Sequence, residues 1–228
     1  MIKKYTQYYK TLHNDISIPQ DHINYISRID YTPKVIFDIG AAVLHWTKEA
    51  KKIWPNAKYI AFEAMMEVEE FYKEINQEHT LEVLSDVIGR KVVYNCHPIN
   101  LGGNSYYKES EEYSKAAKDI YTKEYEQDRI TTTIDYIMEV SKYPQPDLIK
   151  IDTQGSEIDI LKGAENTIKG VKHMIVELQH VQYNIGAKLV NESIEYINSL
   201  GFELVPTGND NKYFCGNGPD ADYHFIRK

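Results

Sequence analysis

From about residue 33 onward, the apolar positions of the chain alternate between two spacings. Short continuous apolar runs, KVIFDI, KYIAFE, DLIKID and HMIVELQ, have the character of strands buried on both faces. Between them, apolar residues recur three and four apart, as on one face of a helix. Behind KVIFDIG these are Val43, Trp46, Ala50 and Ile53; behind KYIAFEA they are Ala64, Val68, Phe71 and Ile75. Ile158, Leu161, Ala164 and Ile168 form a third helical face closed by Gly170, and Val190, Ile194 and Ile197 a fourth, stopped by Gly201. TLEVLSD predicts a strand ending in Asp86, and KVVYNCHPI, after the turn at Gly89, a further strand or hairpin arm. The final pair, GFELVPT and YHFIRK, has only a Gly, Asn and Asp-rich loop between its members, which predicts antiparallel pairing rather than another crossover. Together these elements predict an α/β fold: a mostly parallel sheet with helices on both faces and an antiparallel strand pair at one edge.

Two segments interrupt the alternation. Residues 1–32 are polar and Tyr-rich, and predict an N-terminal helical extension of one or two short helices packed on the edge of the main domain, residues 33–228. Residues 102–129, rich in Lys, Glu and Tyr, predict an exposed, partly helical insertion before RITTTIDYIMEV resumes regular patterning.

Composition works by exclusion. With 228 residues, 42% of them hydrophobic, one core can be built without a second domain. A net charge of -8 argues against a protein that lives on phosphate backbones, so no nucleic acid is expected as partner. The two cysteines, Cys96 and Cys215, form no metal-binding or disulfide pattern and read as inert thiols of a cytoplasmic protein. The N-terminus is basic but has no apolar stretch behind it, and no run approaches a membrane span.

The candidate chemistry lies at strand ends, because ligands of open parallel sheets bind beyond the carboxyl ends of the strands. Three consecutive predicted strands end in acids, Asp38, Glu63 and Asp86, and Gly40 follows the first as a tight turn able to offer N–H groups at a helix start. Glu63 stands where an acid past a glycine turn accepts from ribose hydroxyls, and Asp86 is placed to accept from an adenine amine. GxGxxG and GxxxxGK are both absent, which leaves a nucleoside cofactor without a phosphate cradle. Asp152, Glu177 and His180 lie at the ends of the fourth and fifth strands. They are candidates to orient or deprotonate an acceptor, Asp152 first among them, while an ion pair of Glu177 with Lys150 is the structural alternative. Their spacing matches no metal motif, so no metal is expected.

In order and spacing, six segments resemble the FkbM family of S-adenosylmethionine-dependent methyltransferases over about residues 33–205. VIFDIGAAVLHWT is similar to the family's DVGANIGYYT turn, IAFEA to its FEP, and EVLSDVIG to its ALSD followed by glycine. GGNS is similar to its small-residue loop, TTTIDYI to its TTLDDL, and DLIKIDTQGSEIDILKGAE to DLIKIDVEGAELEVLKGA. The resemblance implies a Rossmann-like class I methyltransferase fold with a seven-stranded sheet. It also implies S-adenosylmethionine as cofactor and transfer to a hydroxyl of a sugar, glycan or glycoconjugate. Another small molecule, a nucleoside or a protein side chain as acceptor, and a non-catalytic binding or scaffold protein, are the alternatives. Carried over by residue, Asp38, Gly40 and Ala41 form the turn beside the methionine part, Glu63 with Ala64 holds the ribose, and Ser85 with Asp86 borders the adenine. The chain departs from the pattern at Leu44, where the family has glycine, at Ala64, where it has proline, and at Gln154, where it has glutamate. Leu44 is expected to crowd the first helix against the sheet or the ligand.

Overall fold

In the computed structural model, which describes residues 5–110, 112, 122–207 and 213–228, each of the four apolar runs forms a strand. The elements in chain order are α1 (Thr6–Asp15), α2 (Gln20–Ile26), β1 (Val35–Ile39), α3 (His45–Ile53), β2 (Lys58–Glu63), α4 (Glu69–Glu74), β3 (His79–Leu81), β4 (Val83–Leu84) and β5 (Lys91–Asn95). They continue as β6 (Glu126–Thr132), α5 (Ile134–Ser141), β7 (Leu148–Ile151), α6 (Glu157–Lys162), β8 (His173–Gln179), α7 (Val190–Ser199), β9 (Phe202–Leu204) and β10 (Asp220–Arg227).

Seven strands form one sheet in the order β3-β2-β1-β7-β8-β10-β9. β3, β2, β1, β7 and β8 are mutually parallel, and β10 runs antiparallel to both β8 and β9, as the missing crossover helix requires. Alternate residues of the central strands feed the two faces. Phe37, Ile39, Ile149, Ile151 and Val176 pack with Ile158, Leu161 and Ile197 of α6 and α7, whereas Ile36, Leu148 and Ile175 pack with Ile26 of α2 and Trp46 and Ala50 of α3. Each such side chain removed from water stabilises the fold by about 1.5–3 kcal/mol, so both helical layers are held by the strands' continuous apolar runs.

Two expectations change. TLEVLSD is not one strand: His79–Leu81 edges the main sheet, and the chain then leaves it at Glu82, so that Val83–Leu84 pairs with β6 in a separate three-stranded sheet, β4-β6-β5. KVVYN is the antiparallel partner of β6, which begins at Glu126, inside the range read as an insertion. The N-terminal extension forms two short helices. Tyr9 of α1 is fully buried among Val43, Leu44, Met65, Phe71 and Tyr72, which lays α1 over the loops that follow β1 and β2. Among the described residues, no helix is long and apolar enough to cross a membrane.

Candidate active site

The sheet order reverses between β1 and β7, and there the carboxyl ends of β1, β2, β7 and β8 open into a cavity of about 640 Å³. Gly40, His45, Glu63, Asp152, Gln154 and Glu177 line its floor, and Tyr8, Leu12 and Ile16 of the N-terminal segment line its roof. A second cavity of about 320 Å³ adjoins it, with Gly102, Gln154 and Asp220 common to both walls and Tyr183 and Asn184 beyond them.

The floor is built where β1 and β7 finish side by side. In the parallel register Asp38 lies beside Lys150, and the Lys150 ammonium reaches Asp152 Oδ2 at 2.9 Å and Asp38 Oδ1 at 3.8 Å. Thr47 Oγ1 donates to Asp38 Oδ2 at 2.6 Å. Lys150 therefore pairs with these two acids and not with Glu177. Burial alone pushes the Asp152 carboxyl upward, but the Lys150 charge beside it prevails and holds it at about 2. Glu177 lies in the opposite regime. Burial, with Asp152 and Asp220 nearby, pushes its carboxyl well above the ordinary range, and Gln154 Nε2 donates to its Oε2 at 2.8 Å. Two neighbouring carboxyls with divergent proton affinities are the usual sign of an acid–base pair.

The loop after β1 has a strained backbone. Gly40 needs its φ of 78°, and a Cβ there would come within 1.8 Å of the Asp152 carbonyl oxygen. Ala42 and Leu44 adopt left-handed φ values of 44° and 62° without being glycine. Replacing Ala42 by glycine is expected to raise stability by about 1 kcal/mol, a rise of roughly 2–4 °C in Tm on thermal unfolding. A lowered Tm would contradict the strain. Leu44 itself turns away from the cavity into the apolar cluster under α1, so the expected crowding of the ligand is not observed and the cost lies in its backbone.

Glu63 ties this loop to the next. Its Oε2 accepts from Ala42 N–H at 2.8 Å, and its Oε1 accepts from Ala64 and Met65 N–H at 2.8 and 2.9 Å. Burial raises its proton affinity against the pull of those three donors. The loop after β7 is closed in a similar way: Glu157 Oε1 accepts from Thr153 N–H and Oγ1 at 3.1 Å and from Gly155 N–H at 3.0 Å, with the carboxyl pushed up to about 7 by burial. Gln154, at a left-handed φ of 55°, accepts from Tyr183 Oη at 3.0 Å and from Ser105 Oγ at its carbonyl, 2.7 Å away. Tyr183 also donates to Asp220 Oδ2 at 2.8 Å.

The residues singled out in the sequence thus divide. Gly40, Glu63, Ala64, Asp152 and Glu177 line the cavity. Asp38 lies behind the floor in the Lys150 ion pair. The N–H groups of Gly40 and Ala41 both donate to Phe62 O, at 2.9 and 3.1 Å, so this turn does not hold them out for a ligand. Ser85 and Asp86 point elsewhere, to Arg90, which hydrogen-bonds Ser85 Oγ and meets Asp86 Oδ1 at 3.0 Å. Because the chain leaves the main sheet early, Glu82, Val83 and Leu84 line the cavity in their place. His180 does not reach it either, and its Nε2 shares a 2.8 Å hydrogen bond with Tyr223 Oη. Of the insertion's tyrosines, Tyr106 lines the cavity, and both Tyr106 and Tyr107 donate to Asp159 at 3.0 and 2.7 Å. Tyr125 stacks obliquely on His97, and Tyr113 and Tyr121 fall outside the described residues. His45, Tyr183, Asp220 and the α1 roof are additions that sequence reasoning missed.

Comparison with known proteins places this geometry. The model of the methyltransferase FkbM domain matches residues 38–204. The chain belongs to the FkbM methyltransferase family. Hexuronic acid methyltransferase AglP of Haloferax volcanii is 29% identical over 87 residues, which are 38% of this chain and 34% of that protein, so the match spans about a third of the relative's length. An O-methyltransferase family protein from Burkholderia thailandensis aligns over 97% of this chain and 58% of its own with a TM-score of 0.52 at 6% identity, a likeness of fold. Human N-acetylserotonin methyltransferase, solved with S-adenosylmethionine, aligns over all of this chain and 56% of its own with a TM-score of 0.49 at 11% identity.

S-adenosylmethionine is the cofactor of the FkbM family, and the residues present fit it. The cavity lies at the topological switch point, and Glu63 on its wall has donors to only three of its roughly four lone-pair positions. His45 adds an orphan: it lines the cavity, while its Nδ1 is buried with no hydrogen-bond partner among the described residues. His45, Glu63, Ala64 and Glu82 line the same cavity, with Gly40 at the turn beside them.

Proposed function

We propose that this chain transfers the methyl group of S-adenosylmethionine to a hydroxyl oxygen of a sugar or glycoconjugate, with Glu177 as the base. The carrying observation is the placement of Glu177 on the cavity wall, a carboxyl of raised proton affinity in contact with Asp152 and with Gln154, which lines both cavities. The bound cofactor supplies a methyl group made electrophilic by its sulfonium charge. The protein's part is alignment, worth up to about 7–11 kcal/mol in favourable cases, together with proton removal.

Glu63 and the loop it ties down hold the nucleoside side. Tyr8, Leu12 and Ile16 cover the cavity from above and keep water from it. Gln154 Nε2 orients Glu177, while Tyr183 orients both the Gln154 amide and Asp220. The acceptor proton passes to ionised Glu177, whose affinity for it exceeds that of Asp152, because Lys150 has stabilised Asp152 as the anion. Asp152 is then a positioning residue and His180 has no part. Gln154 keeps the site working without an acid, since an amide donates to Glu177 where a glutamate would repel it. The sugar part of this assignment is supported by the relative named for hexuronic acid; the acid group of that sugar is not carried over to this chain. A cytoplasmic setting is part of this reading, supported by two buried cysteines that are free.

Transfer of a radiolabelled methyl group to a panel of hexosides and glycolipids tests the bond formed. Label in an alkali-stable O-methyl ether is expected; label recovered as an alkali-labile ester or as an N-methyl amine would overturn the hydroxyl assignment.

A further inference from the structure

We infer that the acceptor group admitted to this site is uncharged or cationic and that a carboxylate-bearing acceptor is turned away. The inference rests on the proposed function and names its substrate class.

The side of the cavities facing away from Glu63 is acidic. Asp152, Glu177 and Asp220 line the first cavity, and Asp220 lines the second as well. No Lys or Arg lines either cavity among the described residues. Lys150, beneath the floor, is 3% exposed and lies between Asp152 and Asp38, so its charge is matched before any ligand arrives. His45 is held neutral by burial and by the Lys150 charge. Two donors on this wall are already engaged: Gln154 Nε2 by Glu177, and the one Tyr183 hydroxyl proton, shared between Asp220 and Gln154. What this wall offers an incoming group is therefore mostly carboxyl oxygens, of which those of Asp152 are held as the anion by Lys150. A hydroxyl or an ammonium has protons to give them. A carboxylate has none, and it adds like charge in a poorly solvated place where Asp220 is already pushed toward its neutral form by burial and by Asp152.

Cofactor analogues test this without knowledge of the acceptor, because the substituent on sulfur faces the group that receives it. Isothermal titration of the full chain compares S-adenosylhomocysteine bearing a carboxymethyl group on sulfur with the carbamoylmethyl analogue of the same size and without the negative charge. The carboxymethyl compound is expected to bind at least about tenfold more weakly, and Asp220→Asn to narrow that ratio about threefold. Equal affinities, or tighter binding of the carboxylate, would overturn the inference. Failure of both analogues and of S-adenosylhomocysteine itself to bind would sink the methyltransferase reading and this inference with it. Equal binding of the two analogues would sink the inference alone.

Discussion

Replacing Glu177 by glutamine is expected to lower the methyl-transfer rate by about 10²- to 10⁴-fold, the span typical of a positioned base, with cofactor affinity unchanged. The substitution is close to isosteric. A glutamine at 177 can still meet Gln154 and Asp152, so the fold and the nucleoside side of the cavity are preserved. What is lost is the ability to take a proton. The pH profile separates that loss from misplacement. Burial, reinforced by Asp152 and Asp220, raises the Glu177 carboxyl, so the base is protonated and idle at low pH, and the wild-type rate climbs with pH through a midpoint above the ordinary carboxyl range. That limb is absent in Glu177→Gln. A variant within twofold of wild type, or one retaining the limb, would refute the role.

The second large effect belongs to Lys150. Lys150→Met keeps the length of the side chain and removes the cation, leaving Asp38 fully buried and Asp152 beside it without a counter-charge. Breaking one partner of such a buried arrangement costs about 3–5 kcal/mol, which denaturant unfolding resolves easily. The sign with pH follows from Asp152. Its folded-state carboxyl is depressed to about 2, so the stabilisation is present above the unfolded value and is lost as pH falls through the folded one. Wild type and variant therefore converge as pH is lowered from about 4 towards about 2. A gap that stays constant over that window would show that the loss comes from packing rather than from charge.

The parallel core was legible in the sequence because strands buried on both faces leave uninterrupted apolar runs, and KVIFDI, KYIAFE, DLIKID and HMIVELQ are such runs. The antiparallel β10 was legible because no helix could fit between the last two runs. That Glu63 and Glu177 line the cavity could be read from their places, Glu63 at the end of β2 and Glu177 in VELQH.

The rest depended on where the chain leaves the sheet. TLEVLSD has the period of one strand throughout, and nothing local marks the step at Glu82 that takes Asp86 out of the cavity and puts Glu82 in its place. The roof was equally silent, since Tyr8, Leu12 and Ile16 sit in a polar, Tyr-rich segment whose apolar face has meaning only once α4 and the β1 loop lie beneath it. Choosing between Asp152 and Glu177 required the register of β1 against β7, because it sets Lys150 beside Asp38 and directs its charge to Asp152. Asp220 is distant in sequence from every motif and joins the site only because β10 returns beside β8, where Tyr183, just past VELQH, meets it.

The central claim is that the cavity over β1, β2, β7 and β8 holds S-adenosylmethionine with Glu63 on the nucleoside side. Titration calorimetry of wild type and Glu63→Gln with S-adenosylmethionine and S-adenosylhomocysteine tests it most directly. One site per chain is expected for both ligands, with affinity about tenfold weaker in the variant, the scale of one hydrogen bond to a charged group. No binding to the wild type at millimolar ligand, or affinity unchanged in Glu63→Gln, would contradict it.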